Sequence, residues 1–246
     1  MQKICTIIPV YNEASRLDTE VFTRFVNNNK NQYLLFVNDG SNDNSIHILN
    51  TIINNPNTFI VNLKENVGKA EAIRQGVLWI EKNIKVDYFG YLDADLATPL
   101  SEVDNITSFF NDQGINIAFG SRIKLYGSNI ERTLIRHYLG RLFATFVSII
   151  LKLDIYDTQC GAKYFRNNNE IISLFSNPFQ SKWFFDIELF LRYKLDINNS
   201  EFAKSVKEIP LNTWIEKGNS KLKIMDFINT PFEIIKIHKH YRRSAN

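Results

Sequence analysis

The feature that most constrains this chain is the regular alternation, through its first 120 residues, of short apolar runs with longer segments of helical spacing. Residues 4–10 read Ile-Cys-Thr-Ile-Ile-Pro-Val. A run so continuously apolar is how a parallel strand covered on both faces reads. Tyr11-Asn12-Glu13 ends it, and helical spacing follows from about 15 to 28. A second strand is expected at 33–37, then the turn Asn38-Asp39-Gly40-Ser41, with Asp43 or Ser41 available to cap a helix over roughly 43–54. Further strands are expected at 59–63, 88–92 and 115–120, separated by helices at about 69–82 and 101–112. Strands alternating with helices imply parallel pairing, right-handed crossovers and helices on both faces. The fold class is therefore α/β: a single Rossmann-like domain with a mostly parallel central sheet flanked by helices.

In such a sheet ligands bind at the carboxyl ends of the strands. That rule gathers Glu13, Asp39, Asp93, Asp95 and Arg122 along one rim without any tertiary information. Asp93 and Asp95 follow the fourth strand with only Ala94 between them, so both side chains can point the same way. Two like charges held together are costly unless a cation sits between them. Mg²⁺ or Mn²⁺ carrying a diphosphate suits the pair, because both ions share oxygen ligands with phosphates. A solvated turn is the other reading of the same residues. No G-x-G-x-x-G follows the first strand and no G-x-x-x-x-G-K-[ST] occurs, which argues against a dinucleotide fold and a P-loop.

A net charge of +3 is too small to argue for nucleic acid. Its distribution is more useful. Residues 122–141 hold five Lys/Arg against Glu131, and residues 217–246 hold seven against Asp226 and Glu233. This basic excess in the second half fits an anionic substrate or an anionic membrane surface. Cys5 and Cys160 have no metal-ligand spacing and read as reduced, structural thiols of a cytosolic protein. The four histidines are scattered, so a zinc site is not expected. The chain enters a strand almost at once, leaving no room for a signal peptide. The longest uncharged apolar run, 142–151, is half of the roughly 20 residues that span a bilayer.

The second half changes character. Apolar residues recur at helical spacing from about 133 to 152, with Arg132, Arg136 and Arg141 in the first part. The pattern suits either a core-packing helix or one lying at a membrane interface. Asp157 begins a turn, as a site residue or a turn former. A helix opens at Trp183 and runs to about 195, 206–214 reads as a late strand, and 224–241 as a last amphipathic helix interrupted near Pro231. The division expected is a domain over 1–222 and a basic amphipathic tail over 223–246.

Several motifs occur in one order: Ile8-Pro9-Val10-Tyr11-Asn12-Glu13; Val37-Asn38-Asp39-Gly40-Ser41-Asn42-Asp43; Asn66-Val67-Gly68-Lys69 followed by Ala72-Ile73-Arg74-Gln75-Gly76; Asp93-Ala94-Asp95; and Gly120-Ser121-Arg122. As an ordered set they resemble the inverting family 2 glycosyltransferases of the GT-A fold, over residues 7 to about 222. Residues 157–163, 185–188 and 214–222 resemble the polyprenyl-phosphate branch, the dolichyl-phosphate glucosyltransferases more than the dolichol-phosphate mannose synthases. Asn38 stands where many members have Asp, Leu96 where Gly is usual, and Ala162 in place of an aromatic residue.

The resemblance implies a nucleoside diphosphate sugar donor, with UDP-glucose expected, and a lipid phosphate acceptor. Asp93 and Asp95 would hold Mg²⁺ or Mn²⁺; Pro9, Tyr11, Glu13, Asp39, Lys69, Arg74, Asp93 and Ala94 would line the donor site. Lys69 and Arg74 can equally be plain helix-surface charges. Arg122, Arg132 and Arg136 would receive the acceptor phosphate, which needs no strong base because it is already ionised. A sugar or protein hydroxyl acceptor would instead require a carboxylate base, Asp186 or Glu188. Asp95, Arg122 and Asp186 are the residues expected to act in the reaction. The place of action expected is cytoplasmic, peripheral to a membrane, and self-association stays open.

Overall fold

The computed structural model describes residues 2–131, 134–217, 233–237 and 239–241. Its first half follows the alternation: β1 (Ile4–Val10), α1 (Thr19–Asn28), β2 (Gln32–Asp39), α2 (Ser45–Ile52), β3 (Thr58–Leu63), α3 (Lys69–Asn83) and β4 (Tyr88–Tyr91). There follow α4 (Glu102–Thr107), a 3-10 turn at Ser108–Asn111, β5 (Ile117–Ser121), β6 (Asn129–Glu131) and α5 (Leu134–Leu151). The rest comprises β7 (Lys163–Arg166), α6 (Asn169–Ser173), α7 (Phe185–Asp196), α8 (Asn199–Ser205), β8 (Val206–Pro210) and β9 (Thr213–Ile215).

The main sheet has the order β3-β2-β1-β4-β7-β5-β8, and β6 pairs with β9 in a small second sheet. Strands β1, β2, β3 and β4 pair in parallel, as do β5 and β8. The alternation of side chains sends Cys5 and Ile7 of β1, with Leu35 and Val37 of β2, into a core that includes Ile73 and Val77 of α3 and Ile187 and Phe190 of α7. Ile4, Ile8, Val10, Leu34 and Phe36 enter the opposite core, with Phe22 of α1, Leu49 of α2 and Val103 of α4. Both faces are thus covered, as near-continuous apolar strands require. Gly76 lets α3 lie close on β1, since a Cβ there would come within 2.9 Å of the Ile7 side chain.

Three local expectations are corrected, and one strand, β7, stands outside the expected set. β7 is antiparallel to both neighbours, β4 and β5, and separates them. The late strand breaks in two after Pro210, a residue with no N–H to continue a ladder, and the chain bends at Asn212 into β9. The helix expected from 15 starts instead at Thr19, because the Glu13 carbonyl takes the amides of Arg16 and Leu17 into a turn and Asp18 caps Val21 N–H. Neither Ser41 nor Asp43 caps α2, which starts after Asn44. The Ser41 hydroxyl accepts from Asn12 N–H, and Asp43 accepts from Ala14 N–H and Ser45 N–H, so both stitch the first two strand-to-helix loops together.

Residues 218–232, where the tail boundary is expected, lie outside the described residues. Beyond them, residues 233–237 are helical, and Ile234 and Ile237 are buried in the core that holds α7. Among the described residues no helix is long and apolar enough to cross a membrane.

Candidate active site

Four strand ends converge on a cleft of about 500 Å³ lined by Pro9, Tyr11, Glu13, Asp39, Lys69, Asp93, Ala94 and Asp95. Each arrives by a local device. After β1 the chain turns at Asn12, whose φ of 52° lies in the left-handed region that Asn tolerates. Glu13 then lies against the sheet, its amide on Ser45 Oγ at 2.9 Å and its carboxylate 2.5 Å from Arg16 Nη2. Asp39, at the end of β2, is buried. Its two oxygens accept from Val67 N–H at 2.8 Å and Gly68 N–H at 2.9 Å, so it holds the loop that launches α3. Gly40 makes that loop's approach feasible: at a φ of 63°, a Cβ would lie 2.5 Å from the Glu65 backbone.

Lys69 opens α3 and places its Nζ 2.5 Å from Asp93 Oδ1. Burial disfavours the ammonium, but the charges of Asp93 and Asp186 outweigh it and hold the lysine charged above its ordinary pKa. On the opposite side, Asp93 Oδ2 occupies the space where Gly161 lacks a side chain: a Cβ there would lie 2.2 Å from it. Asp95 accepts from Ala97 N–H at 3.0 Å. Burial, and then the neighbouring Asp93, push its carboxyl above the usual range, although the Ala97 amide and the charges of Arg16 and Lys69 oppose this. Asp95 thus lies where a further positive charge would stabilise its ionised form. Among the described residues no group of three or more His, Cys, Asp or Glu side chains forms a cage. A hard divalent cation at Asp93 and Asp95 would therefore take the rest of its oxygen shell from a bound phosphate and water, as Mg²⁺ commonly does. The residues present fit such an ion.

The structure does not bring every expected residue to this cleft. Arg74 turns away on α3: its guanidinium is bidentate on Glu71 at 2.7 Å and also reaches the Phe175 and Ser176 carbonyls. From the second turn of α3 it ties that helix to the chain after α6. Arg122, at the end of β5, lies behind Trp214 with its guanidinium carbon 5.4 Å from the ring, and Trp214 lines the cleft. Nε and Nη2 each donate to Asp157 at 2.7 Å, and Asp157 also accepts Arg122 N–H. Asp157 is therefore the ion-pair partner of Arg122 and not only a turn former. It is held in turn by Glu208 of β8, which accepts Tyr156 N–H at 2.9 Å and Asp157 N–H at 2.8 Å. Arg132 and the side chain of Arg136 lie outside the described residues.

Asp186 and Glu188 are buried. Asp186 Oδ1 accepts from Tyr91 OH and sits 2.6 Å from Lys163 Nζ, which is itself fully buried. Glu188 accepts from Arg192 at 2.8 Å, Gln180 N–H at 2.8 Å and Tyr241 OH at 2.5 Å. Neither lines the cleft. Sequence reasoning did not place Arg16, Asn66, Lys182, Trp183, Trp214, Glu216 and Lys217 on the cleft wall. The last three fall in a stretch singled out only as a motif, and Trp183 is a half-exposed aromatic at the mouth.

Comparison with known proteins agrees with this architecture. The model of the family described as "Glycosyl transferase family 2" matches residues 5–172. A dolichyl-phosphate beta-glucosyltransferase of Trichomonas vaginalis is 30% identical over 250 residues, 96% of this chain and 71% of that protein. An undecaprenyl-phosphate 4-deoxy-4-formamido-L-arabinose transferase of Shewanella sediminis is 24% identical, over 94% of this chain and 65% of that protein. Among solved structures, glucosyl-3-phosphoglycerate synthase from Mycobacterium tuberculosis, in complex with Mn²⁺, UDP-glucose and phosphoglyceric acid, superposes with a TM-score of 0.68 at 13% identity. That match covers 98% of this chain and 79% of the other.

Proposed function

The chain belongs to glycosyl transferase family 2, and from that premise we propose that this glycosyltransferase moves a hexose, with glucose from UDP-glucose the favoured case, onto a polyprenyl phosphate. The observation that carries the acceptor reading is the state of the two carboxylates expected to act as bases. Asp186 is matched to Lys163 and Tyr91, and Glu188 to Arg192 and Tyr241, each buried away from the cleft. A hydroxyl acceptor needs a base within reach of its proton; a phosphate monoester, ionised at neutral pH, does not. The relatives acting on dolichyl and undecaprenyl phosphates support the same acceptor class.

In this reading the donor lies in the cleft, with the nucleoside against Pro9, Tyr11, Glu13 and Asp39 and the diphosphate near Lys69. Asp39 contributes by holding the loop of Val67 and Gly68 in place while forming part of the wall. Lys69 supplies a fixed positive charge beside Asp93 and offsets charge on the departing diphosphate. Mg²⁺ or Mn²⁺, held by Asp93 and Asp95, would supply Lewis-acid neutralisation of the same leaving group, and a solved protein of this fold carries Mn²⁺ with UDP-glucose. The acceptor phosphate oxygen displaces the diphosphate at the sugar's anomeric carbon with inversion. Arg122, oriented by Asp157, draws that phosphate toward the cleft; two of the five guanidinium donors serve Asp157, and the others suit an anion. Arg132 and Arg136 are proposed to assist it. Such an acceptor places the protein at the membrane surface, as a peripheral protein.

The test is a screen of nucleotide sugars against a short-chain polyprenyl phosphate and a sugar-alcohol acceptor, with Mn²⁺ or with EDTA. Transfer to the lipid phosphate that stops in EDTA and in Asp95→Ala is the expected result. Transfer to the hydroxyl acceptor alone overturns the acceptor assignment, and full turnover in EDTA overturns the metal.

A further inference from the structure

We propose that the buried set Lys163, Asp186 and Tyr91 is a positioning device for Asp93, acting through the backbone at Cys160 and Gly161, and that Asp186 is no base. The inference rests on Asp93 being a donor-site residue.

Tyr91 of β4 and Lys163 of β7 are direct cross-strand partners in the antiparallel pair, so their side chains leave the sheet together. Both end on Asp186 at the first turn of α7, the tyrosine by its hydroxyl and the lysine at 2.6 Å. The lysine Nζ also donates to the Cys160 carbonyl at 2.6 Å. One ammonium thus ties the start of α7 to the turn immediately before β7. The next residue in that turn is Gly161, against which the Asp93 carboxylate lies. A Cβ on Gly161 would come 2.2 Å from Oδ2, 2.7 Å from Cγ and 3.1 Å from Oδ1, all atoms of Asp93. Asp93 is therefore confined between a backbone wall on one side and Lys69 Nζ on the other. The wall stands where Lys163 holds it.

A wholly apolar pair would fill the space under Asp93 at less cost, because removing two charges from water is rarely repaid by their attraction alone. Lys163 has no solvent exposure and Asp186 is 5% exposed. The charge serves geometry here: Asp186 fixes the lysine's direction, and the lysine fixes the Cys160 carbonyl.

Two variants test this. Gly161→Ala adds one methyl whose three nearest neighbours are all side-chain atoms of Asp93, so the carboxylate must move before the backbone does. The neutral pair Lys163→Met with Asp186→Asn removes both charges together, and so avoids the uncompensated buried carboxylate that makes Lys163→Met alone prone to unfolding. The readouts are the melting temperature, Mn²⁺ binding in the presence of UDP by electron paramagnetic resonance, and kcat for donor hydrolysis without acceptor, which leaves the acceptor assignment aside. Both variants should melt near the wild type, bind Mn²⁺ roughly 10–100-fold more weakly, and lose kcat with little change in donor KM. A neutral pair that restores melting, Mn²⁺ binding and kcat together would show that the set is packing alone and overturn the proposal. So would Gly161→Ala with wild-type kcat. If the wild type itself binds no Mn²⁺, the metal reading falls, and the kcat of the two variants still decides whether Asp93 is positioned this way.

Discussion

At the scale of single residues, Leu96 shows how a departure from a motif becomes intelligible in three dimensions. It follows the Asp pair at a position where the resemblance implies glycine, and its φ is 54°. Glycine reaches that region without cost, while a side chain there costs on the order of 1 kcal/mol. Leucine is retained because it packs, partly buried, against the core beneath α1 and α4, a gain of about 1–2 kcal/mol by apolar burial. The two effects nearly cancel. Leu96→Gly should therefore change unfolding free energy by no more than about 1 kcal/mol, where truncating a core leucine elsewhere costs about 2–5 kcal/mol. Denaturant titration reads the difference, and a loss above about 2 kcal/mol would mean that the backbone there is relaxed. The acidic rim was legible from strand ends alone: Glu13, Asp39, Asp93 and Asp95 do share one cleft. The partners of Asp186 and Glu188 were not legible, because both look alike as acids in the first turn of a helix. Their cations come from β7 and from the next turn of α7.

At the scale of elements, the apolar runs of β1 and β2 announce themselves because both faces of each are covered. β7 does not. It has four residues, begins with Lys163 and ends with Arg166, and owes its place to neighbours that only the fold supplies. β8 is short for the same reason, yet it acts on the site through Glu208, whose carboxylate fixes two successive amides of the 156–157 loop. Glu208→Ala would orphan both, at about 1–3 kcal/mol for each buried amide left without a partner, and loosen Asp157 and with it Arg122. The expected kinetic result is a raised KM for the acceptor with the donor KM nearly unchanged. Equal increases in both would place Arg122 on the donor side.

At the scale of the whole molecule, exposed apolar side chains stand beside basic ones on one stretch of chain. Leu125 and Tyr126 project at the turn after Arg122, next to Lys124, and Ile149 is exposed on α5, which also carries exposed Arg141. Binding to vesicles containing anionic lipid should be strong in low salt and weaken as salt rises, because charges at a surface are screened over about 10 Å at 0.1 M. Sedimentation measures it, and no binding at low salt would leave these side chains without a membrane role.

The order of strands in the main sheet also has a consequence in time. β4 and β5 are consecutive parallel-type strands in sequence, but no hydrogen bond joins them, because β7 lies between. A chain emerging from the ribosome can pair β3, β2, β1 and β4 as soon as each is made. The open side of β4 then waits for Lys163–Arg166, synthesised some seventy residues later. Until that short strand arrives, β5 has no partner on that side and the nascent sheet presents an unpaired edge, the part of a growing protein most apt to join the wrong neighbour. The four residues that follow the turn behind Asp93 are thus also the ones that join β4 to β5 in the sheet.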